Sequence, residues 1–246
     1  MRQYQARQTV HATKVSRRKR DNIVAVVGLI VVATLATTAQ LAYFSGPGAP
    51  EPVAEPTDDP TVAPSLPPAP EAPAPEVSEF RTWTGELALN DDIVLDIELD
   101  GEAAPQAVAS FVSLTQDDFF TDLTCHRLTT AGIFVLQCGD PAGDGSGGPE
   151  YRFGPIENAP ADDVYATGTL AMARQGGDGE SMGSQFFIVY GESSIPSDAA
   201  GGYTVFGRVT GGLDALLSDV VDAGGEGGAS DGPPAVDTTI TSITIQ

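Results

Sequence analysis

A stretch near the N-terminus, Ile23 to Phe44, contains no charged side chain (IVAVVGLIVVATLATTAQLAYF). As a helix rising about 1.5 Å per residue, it would cross a hydrocarbon core of about 30 Å. A cleavable signal peptide is the alternative, but its apolar region is usually about 7–15 residues long and ends at an A-x-A-like site, which this stretch lacks. We therefore predict a single transmembrane helix over residues 23–44.

Charge is distributed unevenly on the two sides of this stretch. Seven of the 12 basic residues precede residue 21, four of them in the cluster RRKR, whereas five arginines stand against 33 acidic residues from Ser45 onward. By the positive-inside rule, the basic side remains in the cytoplasm. We expect residues 1–22 to be a cytoplasmic tail of a single-pass protein of the cell membrane, with the rest of the chain outside.

Residues 45–78 are predicted to be a disordered linker rich in proline, alanine and glutamate. Eleven of the 19 prolines lie between Gly46 and Val77, with almost no large apolar side chain to bury. Proline favours extended polyproline II structure at about 3.1 Å per residue, so such a segment could hold a domain up to about 100 Å from the membrane.

Residues 79–246 are enough for one domain of ordinary size, and their pattern favours short strands. Residues 82–90 and 92–99 alternate apolar with polar side chains as a hairpin would, and residues 104–119 have helical spacing. Further apolar or β-branched runs follow at 124–128, 133–138, 168–173, 185–189, 203–209 and 239–245. We predict a mainly β domain with a few short helices, closed into an antiparallel barrel because closure removes exposed sheet edges.

Four blocks in this domain resemble the cyclophilins. CHRLTTAGIFVLQCGDPAGDGSGGPEY (125–151) is similar to the cyclophilin stretch from "FHR" to "QGGDP.G.G.GG". GTLAMAR (168–174), GSQFFI (183–188) and YTVFGRV (203–209) resemble the next three blocks, in the family's order. The resemblance covers essentially all of residues 79–246, and it implies a cyclophilin-like β-barrel with peptidyl-prolyl cis-trans isomerase activity.

The implied reaction rotates an X-Pro amide over a barrier of about 18–20 kcal/mol and breaks no bond. It therefore requires no nucleophile, metal or cofactor, only tighter binding of the twisted amide than of either planar form. Twisting leaves a lone pair on the prolyl nitrogen, and a fixed donor aimed there stabilises the transition state. The resemblance assigns this donor to Arg127, with a surface ion-pair residue as the alternative.

The resemblance also implies the residues around that arginine. Phe134 and Gln137 are the other catalytic candidates, since they correspond to the family's apolar pocket for the proline ring and to its polar side. The remaining candidates are expected to bind substrate: Val135, Ala173, Arg174, Gln185, Phe187 and Tyr203.

The segment from Ser193 to Gly207 departs from the family pattern. Many members have a tryptophan, a leucine and a histidine here, whereas this chain has its only tryptophan at Trp83. Tyr203 is assigned to the histidine position, and Ile195 is a further candidate if the alignment contains a gap. Between His126 and Phe134 there are also two more residues than familiar members have.

Other motifs in the sequence lack residues that their chemistry requires. GESMG (179–183) fits a nucleophile elbow, but such hydrolases need a histidine after the serine, and the two histidines are His11 and His126. Cys125, His126 and Cys138 lack the fourth ligand of a structural zinc site. The acidic loop 140–150 does not match the EF-hand pattern. Calcium binding by this loop is kept only as a weak alternative. We predict no metal site.

Cys125 and Cys138 are the only cysteines and lie on strands expected to be hairpin neighbours. An oxidising compartment favours a disulfide between them. Strand alternation, however, directs the two side chains to opposite faces unless a bulge shifts the phase. The sequence leaves both states open.

Two functions of different classes follow from these patterns. The first is an isomerase that assists the folding of exported proteins, with proline-containing polypeptides as partners. The second is a non-catalytic proline-binding or scaffold module with the same groove. The presence of Arg127 favours the enzyme, because a mere binder has little need of a donor aimed at the prolyl nitrogen. The acidity of the domain argues against a nucleic-acid partner.

Overall fold

A computed structural model describes residues 70–246. The predicted cytoplasmic tail, the transmembrane helix and most of the linker lie outside the described residues. None of the helices within residues 70–246 has the length and apolar character required for crossing a membrane.

The described residues form a mainly β domain. In chain order, its strands are β1 (Thr82–Leu89), β2 (Ile93–Asp100), β3 (Arg127–Thr129), β4 (Phe134–Cys138), β5 (Val164–Tyr165), β6 (Thr169–Met172), β7 (Phe186–Gly191), β8 (Ser193–Ser194), β9 (Val205–Gly211), β10 (Asp231–Gly232) and β11 (Ile240–Ile245). Nine of them pair antiparallel in the order β10-β3-β4-β7-β6-β9-β2-β1-β11, and β5 pairs separately with β8.

The nine-stranded sheet is curled, and the segment before β3 bonds to the chain at the start of β11. The backbone N–H of Asp122 donates to the Ile240 carbonyl at 2.9 Å, and that of Cys125 donates to the Thr238 carbonyl at 2.8 Å. The prediction of a mainly β domain with few helices is confirmed. These contacts connect the β3 side of the curled sheet to β11 without a continuous ladder of strands.

Helix α1 (Pro105–Gln116) packs against this sheet through the main core. Pro105 occupies the first turn, where its missing N–H costs no hydrogen bond. Phe111 is fully buried, and its ring centroid lies 4.9 Å from that of Phe120, 5.5 Å from Phe186 and 5.1 Å from Phe206. Helix α2 (Leu213–Asp219) follows β9, and short 3-10 turns lie at Pro75–Ser78, Val221–Ala223 and Glu226–Gly228.

The described structure begins upstream of residue 79. The turn Pro75–Ser78, assigned from sequence to the linker, packs against α1, and Ser78 is fully buried. The indole Nε1 of Trp83 donates to the Ser78 carbonyl at 2.7 Å. This hydrogen bond fastens the end of the proline-rich segment to the first strand.

Opposite faces of β4, β6 and β7 bury two separate clusters. Leu136, Cys138 and Phe186 point into the main core together with α1. Val135 and Phe187 point to the other face, into a second cluster with Tyr165, Ala171, Val189 and Ile195. Strand alternation produces this division, since neighbouring residues of a strand face opposite sides. The second cluster is where the candidate site lies.

Cys125 and Cys138 form a disulfide, with the two sulfur atoms 1.97 Å apart. Strand alternation, which would direct the two side chains to opposite faces, does not extend from Arg127 back to Cys125. Cys125 lies before β3, in the segment that bonds to Thr238, so it does not continue the alternation of Arg127. The bridge ties this segment to the end of β4.

We expect the double variant Cys125→Ala/Cys138→Ala to lose about 3 kcal/mol of unfolding free energy, because the bridge closes a loop with a sequence separation of 13 residues. Urea denaturation with and without a reductant measures the loss. The reductant should destabilise the wild type to a similar extent and leave the variant unchanged. A wild type insensitive to the reductant would contradict a stabilising bridge.

Candidate active site

Side chains from four neighbouring strands form one row across the sheet. Pairing of β3 with β4 sets Arg127 opposite Gln137, and pairing of β4 with β7 sets Gln137 opposite Phe187. The row continues to Ala171 on β6. Directly opposed residues of antiparallel strands hold their Cβ atoms about 4.5–5.5 Å apart on the same face. The register therefore brings a cation, an amide and an aromatic ring side by side.

A pocket of about 210 Å³ opens over this row. Its apolar wall comes from the second cluster, while Arg127 and Gln137 supply polar groups at its edge. The lining residues are Arg127, Ile133, Val135, Gln137, Ala173, Arg174, Phe187, Ile195 and Tyr203.

Arg127 is held at the edge of the pocket by two partners. Its Nε and Nη2 donate to the two carboxylate oxygens of Asp231 at 2.7 and 2.8 Å, and Nη1 donates to Gln137 Oε1 at 3.5 Å. The hydrogen bond to Asp231 raises the pKa of Arg127 above its usual value, and the guanidinium lowers the pKa of the Asp231 carboxyl. The Arg127 side chain is 39% exposed, so it remains accessible to a ligand in the pocket.

Gln137 connects the arginine to the next loop. Its Nε2 donates to Gln185 Oε1 at 2.9 Å, and Gln185 Nε2 donates to the carbonyls of Gly145 and Gly147, each at 2.9 Å. Because both amides are committed, their orientations are fixed. Gln137 therefore presents its oxygen to Arg127, and Gln185 lies beside the pocket rather than in its wall.

The loop whose carbonyl groups accept hydrogen bonds from Gln185 is held in its conformation by Asp140, which is almost fully buried. Its carboxylate accepts the backbone N–H groups of Ala142, Asp144 and Gly145. Within residues 70–246, no group of three or more histidine, cysteine or acidic side chains is arranged to hold a metal ion.

Tyr203 closes one side of the pocket. Its ring lies edge-on to Phe187 at 5.5 Å between centroids, an arrangement that aromatic quadrupoles favour. Its backbone N–H donates to the Tyr165 hydroxyl at 2.7 Å. The tyrosine thus lines the pocket.

Arg174 is buried, unlike Arg127. Its side chain has no exposed surface, and its five N–H groups all have acceptors: both oxygens of Asp198 and the carbonyls of Gln175, Gly201 and Gly202. The guanidinium carbon lies 4.7 Å from the centroid of the Tyr203 ring. Arg174 was expected to receive the substrate backbone, but in this structure it has no free donor and instead fastens the loop that carries Tyr203.

Asp198 is the anionic partner in that arrangement. The Arg174 guanidinium, followed by the backbone N–H groups of Gly177 and Ala200, holds the pKa of the Asp198 carboxyl well below its usual range. A depressed carboxyl pKa means that its stabilisation is present above the unfolded pKa and is lost as pH falls through the folded pKa. The pair is therefore intact at neutral pH.

Phe134 does not line the pocket. Its ring packs on the main-core face, with its centroid 6.0 Å from that of Tyr190, while Val135 faces the pocket. Phe134 precedes Leu136 by two residues on β4, and both pack on the main core, so strand alternation sets Phe134 on the face opposite Val135. Ile133, the residue before Phe134, lines the pocket.

Sequence reasoning also missed both aspartates. Asp198 and Asp231 lie 24 and 104 residues from their arginine partners, in an acidic domain where no local pattern distinguishes them. Ile195 was a candidate only if the alignment contained a gap, and the structure shows that it reaches the pocket.

We expect Arg174→Gln to lower the free energy of unfolding by about 2 kcal/mol, because it removes charge-assisted hydrogen bonds from a buried group. Urea denaturation at neutral pH measures this change. Arg208→Gln is the matched control, since Arg208 pairs with Glu98 while its own side chain is 68% exposed. Equal stabilities of the two variants would contradict the role of Arg174 in holding the loop that carries Tyr203.

Comparisons with known proteins agree with this geometry. The family model described as "Cyclophilin type peptidyl-prolyl cis-trans isomerase/CLD" matches residues 86–245. A solved relative, the cyclophilin type peptidyl-prolyl cis-trans isomerase of Cryptosporidium parvum, has a TM-score of 0.55 and 27% identity over 68% of this chain and 98% of its own. A second crystal structure of that protein, in the presence of the dipeptide Ala-Pro, has the same TM-score and covers 66% of this chain.

Three curated bacterial relatives are similar in sequence. The "Probable peptidyl-prolyl cis-trans isomerase B" of Mycobacterium tuberculosis is 44% identical over 61% of this chain, and its Mycobacterium leprae counterpart is 38% identical over 77%. The chain spans 51% and 65% of the lengths of these two proteins. The "Peptidyl-prolyl cis-trans isomerase B" of Bacillus subtilis is 40% identical over 53% of this chain and 86% of its own. With the family model matching 160 of the 246 residues, the chain belongs to the cyclophilin-type peptidyl-prolyl cis-trans isomerase family.

Proposed function

We propose that this protein catalyses cis-trans isomerisation of X-Pro bonds in polypeptides. The observation that carries the proposal is the geometry of Arg127, whose guanidinium reaches the edge of an apolar pocket while Asp231 engages Nε and Nη2. Nη1 has only the long contact to Gln137 and can donate to a ligand. A cationic donor beside an apolar pocket suits a proline ring with an electron-rich nitrogen.

In this proposal the proline ring enters the pocket between Val135, Phe187 and Ile195. Twisting of the preceding amide ends its resonance and localises a lone pair on the prolyl nitrogen. A donor from Arg127 then interacts more strongly with the twisted amide than with either planar form, which is the condition for catalysis. No bond breaks, so the residues present are sufficient for this chemistry.

The neighbouring amides and the tyrosine complete the proposed site. Gln137 and Gln185 hold each other in fixed orientations and keep the polar side of the groove in place. Tyr203 takes the place of the family's histidine and offers a hydroxyl and a ring face to the peptide. Arg174 acts indirectly, by fixing the loop on which Tyr203 lies.

We expect Arg127→Ala to reduce turnover about a hundred- to thousand-fold, because loss of one transition-state donor typically costs about 2.7–4 kcal/mol. Arg127→Lys should restore little, since a point charge on a flexible stem does not reproduce the guanidinium fork. A protease-coupled proline isomerisation assay measures the rates. Thermal unfolding should change little, because the ion pair with Asp231 is largely exposed.

Arg208→Ala provides the matched control for loss of an arginine, since Arg208 lies on β9 outside the pocket and pairs with Glu98. It should retain the wild-type rate. An Arg127→Ala variant as fast as the wild type would overturn the catalytic assignment. A wild type that binds proline peptides without accelerating isomerisation would replace the enzyme by a proline-binding or scaffold module.

We further propose that the domain is held outside the cytoplasm by residues 23–44 and acts on exported polypeptides. The uncharged stretch and the basic residues before it support this topology. The disulfide between Cys125 and Cys138 supports it as well, because disulfides persist mainly in oxidising compartments. The proline-rich linker then sets the reach of the domain from the membrane.

We expect the full-length protein to fractionate with membranes, and protease added to intact cells or spheroplasts to release the folded domain by cutting within residues 45–69. Immunoblotting of membrane and soluble fractions provides the measurement. Mature protein free in the medium, with a new N-terminus near residues 39–44, would show instead that the apolar stretch is a signal peptide.

A further inference from the structure

The ion pair between Arg127 and Asp231 has the bidentate geometry of a preformed fork. Two parallel N–H to oxygen contacts of 2.7 and 2.8 Å fix both the position and the plane of the guanidinium. Single contacts between flexible side chains do not impose such a plane. The orientation of Arg127 is therefore set by Asp231 more than by the long contact to Gln137.

Asp231 is itself fixed by the strand that carries Arg127. β10 pairs with β3 so that Asp231 lies opposite Thr129 and Gly232 opposite Leu128. Arg127 and Thr129 share a face of β3, so Asp231 is the diagonal neighbour of Arg127, within reach of a long side chain. The backbone N–H of Thr130 donates to the Ser230 carbonyl at 2.9 Å and maintains this register.

The loop that contains Asp231 is also held by backbone hydrogen bonds between its two ends. The N–H of Glu226 donates to the Pro233 carbonyl and that of Ala235 donates to the Gly224 carbonyl, each at 2.8 Å. The edge strand that carries Asp231 is therefore held within a loop whose two ends are hydrogen-bonded to each other.

Stability does not explain this pair. The side chains of Arg127 and Asp231 are 39% and 57% exposed, and exposed ion pairs contribute little to folding. The carboxylate engages Nε and Nη2, on the side of the guanidinium away from Gln137, and leaves Nη1 directed along the row toward the pocket.

We propose that Asp231 is a positioning residue that orders the Arg127 guanidinium before substrate binds, so that Nη1 faces the prolyl nitrogen. This inference rests on the isomerase function proposed above. Asp231 does not touch substrate. Its removal frees a long side chain to sample other rotamers, which lowers the fraction of bound substrate that meets a correctly aimed donor. Binding of the proline ring, which uses the apolar wall, is unaffected.

The test compares the full chain, purified in detergent, with Asp231→Ala by exchange NMR on a proline peptide, which separates kcat from KM. Misplaced catalytic groups cost rate steeply, and we expect kcat to fall about tenfold with KM within about twofold of the wild type. Adding Asp231→Ala to Arg127→Lys should cause no further loss, because lysine has no fork for the carboxylate to orient.

Glu98→Ala is the matched control. It breaks an arginine–carboxylate pair with Arg208, between β2 and β9 and outside the pocket, and it should leave kcat unchanged. A second readout is the order of the Arg127 Nε–H bond from ¹⁵N relaxation, which is expected to be high in the wild type and low in Asp231→Ala.

The outcomes separate the two proposals. A wild type without isomerase activity overturns the proposed function. An active wild type with an equally fast or faster Asp231→Ala variant, or one whose Arg127 Nε–H stays ordered without the carboxylate, overturns the positioning role alone.

Discussion

Antiparallel register is the constraint on which the site depends. Pairing of β3, β4 and β7 sets Arg127, Gln137 and Phe187 in consecutive positions across the sheet, on the face away from the main core. A slip of one residue in any of these strands would turn its side chains to the opposite face. Hydrogen bonds of the backbone, rather than contacts among the site residues, thus decide which side chains can act together.

The arginines of this acidic domain lie in two different environments. Within residues 70–246, Arg127 and Arg174 both pair with an aspartate that lies elsewhere in the chain, but only Arg174 has a side chain without exposed surface and with every donor occupied. A buried guanidinium whose N–H donors all have acceptors holds the neighbouring backbone segments in place. An accessible guanidinium with a free N–H donor can form a hydrogen bond to a ligand. The number of occupied donors and the exposure of the side chain distinguish structural from functional arginine here, although both residues belong to motifs of the family.

One side of the pocket is built by segments with little regular structure. Ile195 and Tyr203 come from the chain between β8 and β9, and Tyr165 from the two-residue β5 packs against them. Arg174 and Asp198 hold this region closed. The sheet therefore supplies a rigid row of polar and aromatic groups, while the loops supply the shape that receives a ring.

Local sequence determined much of this protein. Alternation predicted the first hairpin and helical spacing predicted α1, since both patterns reflect burial of one face by neighbouring residues, and four ordered blocks indicated the family. Tertiary structure alone decided the disulfide, through pairing of the segment that contains Cys125 with Thr238. It also decided the partners of both arginines. These features depend on contacts between residues far apart in the chain, which no local pattern encodes.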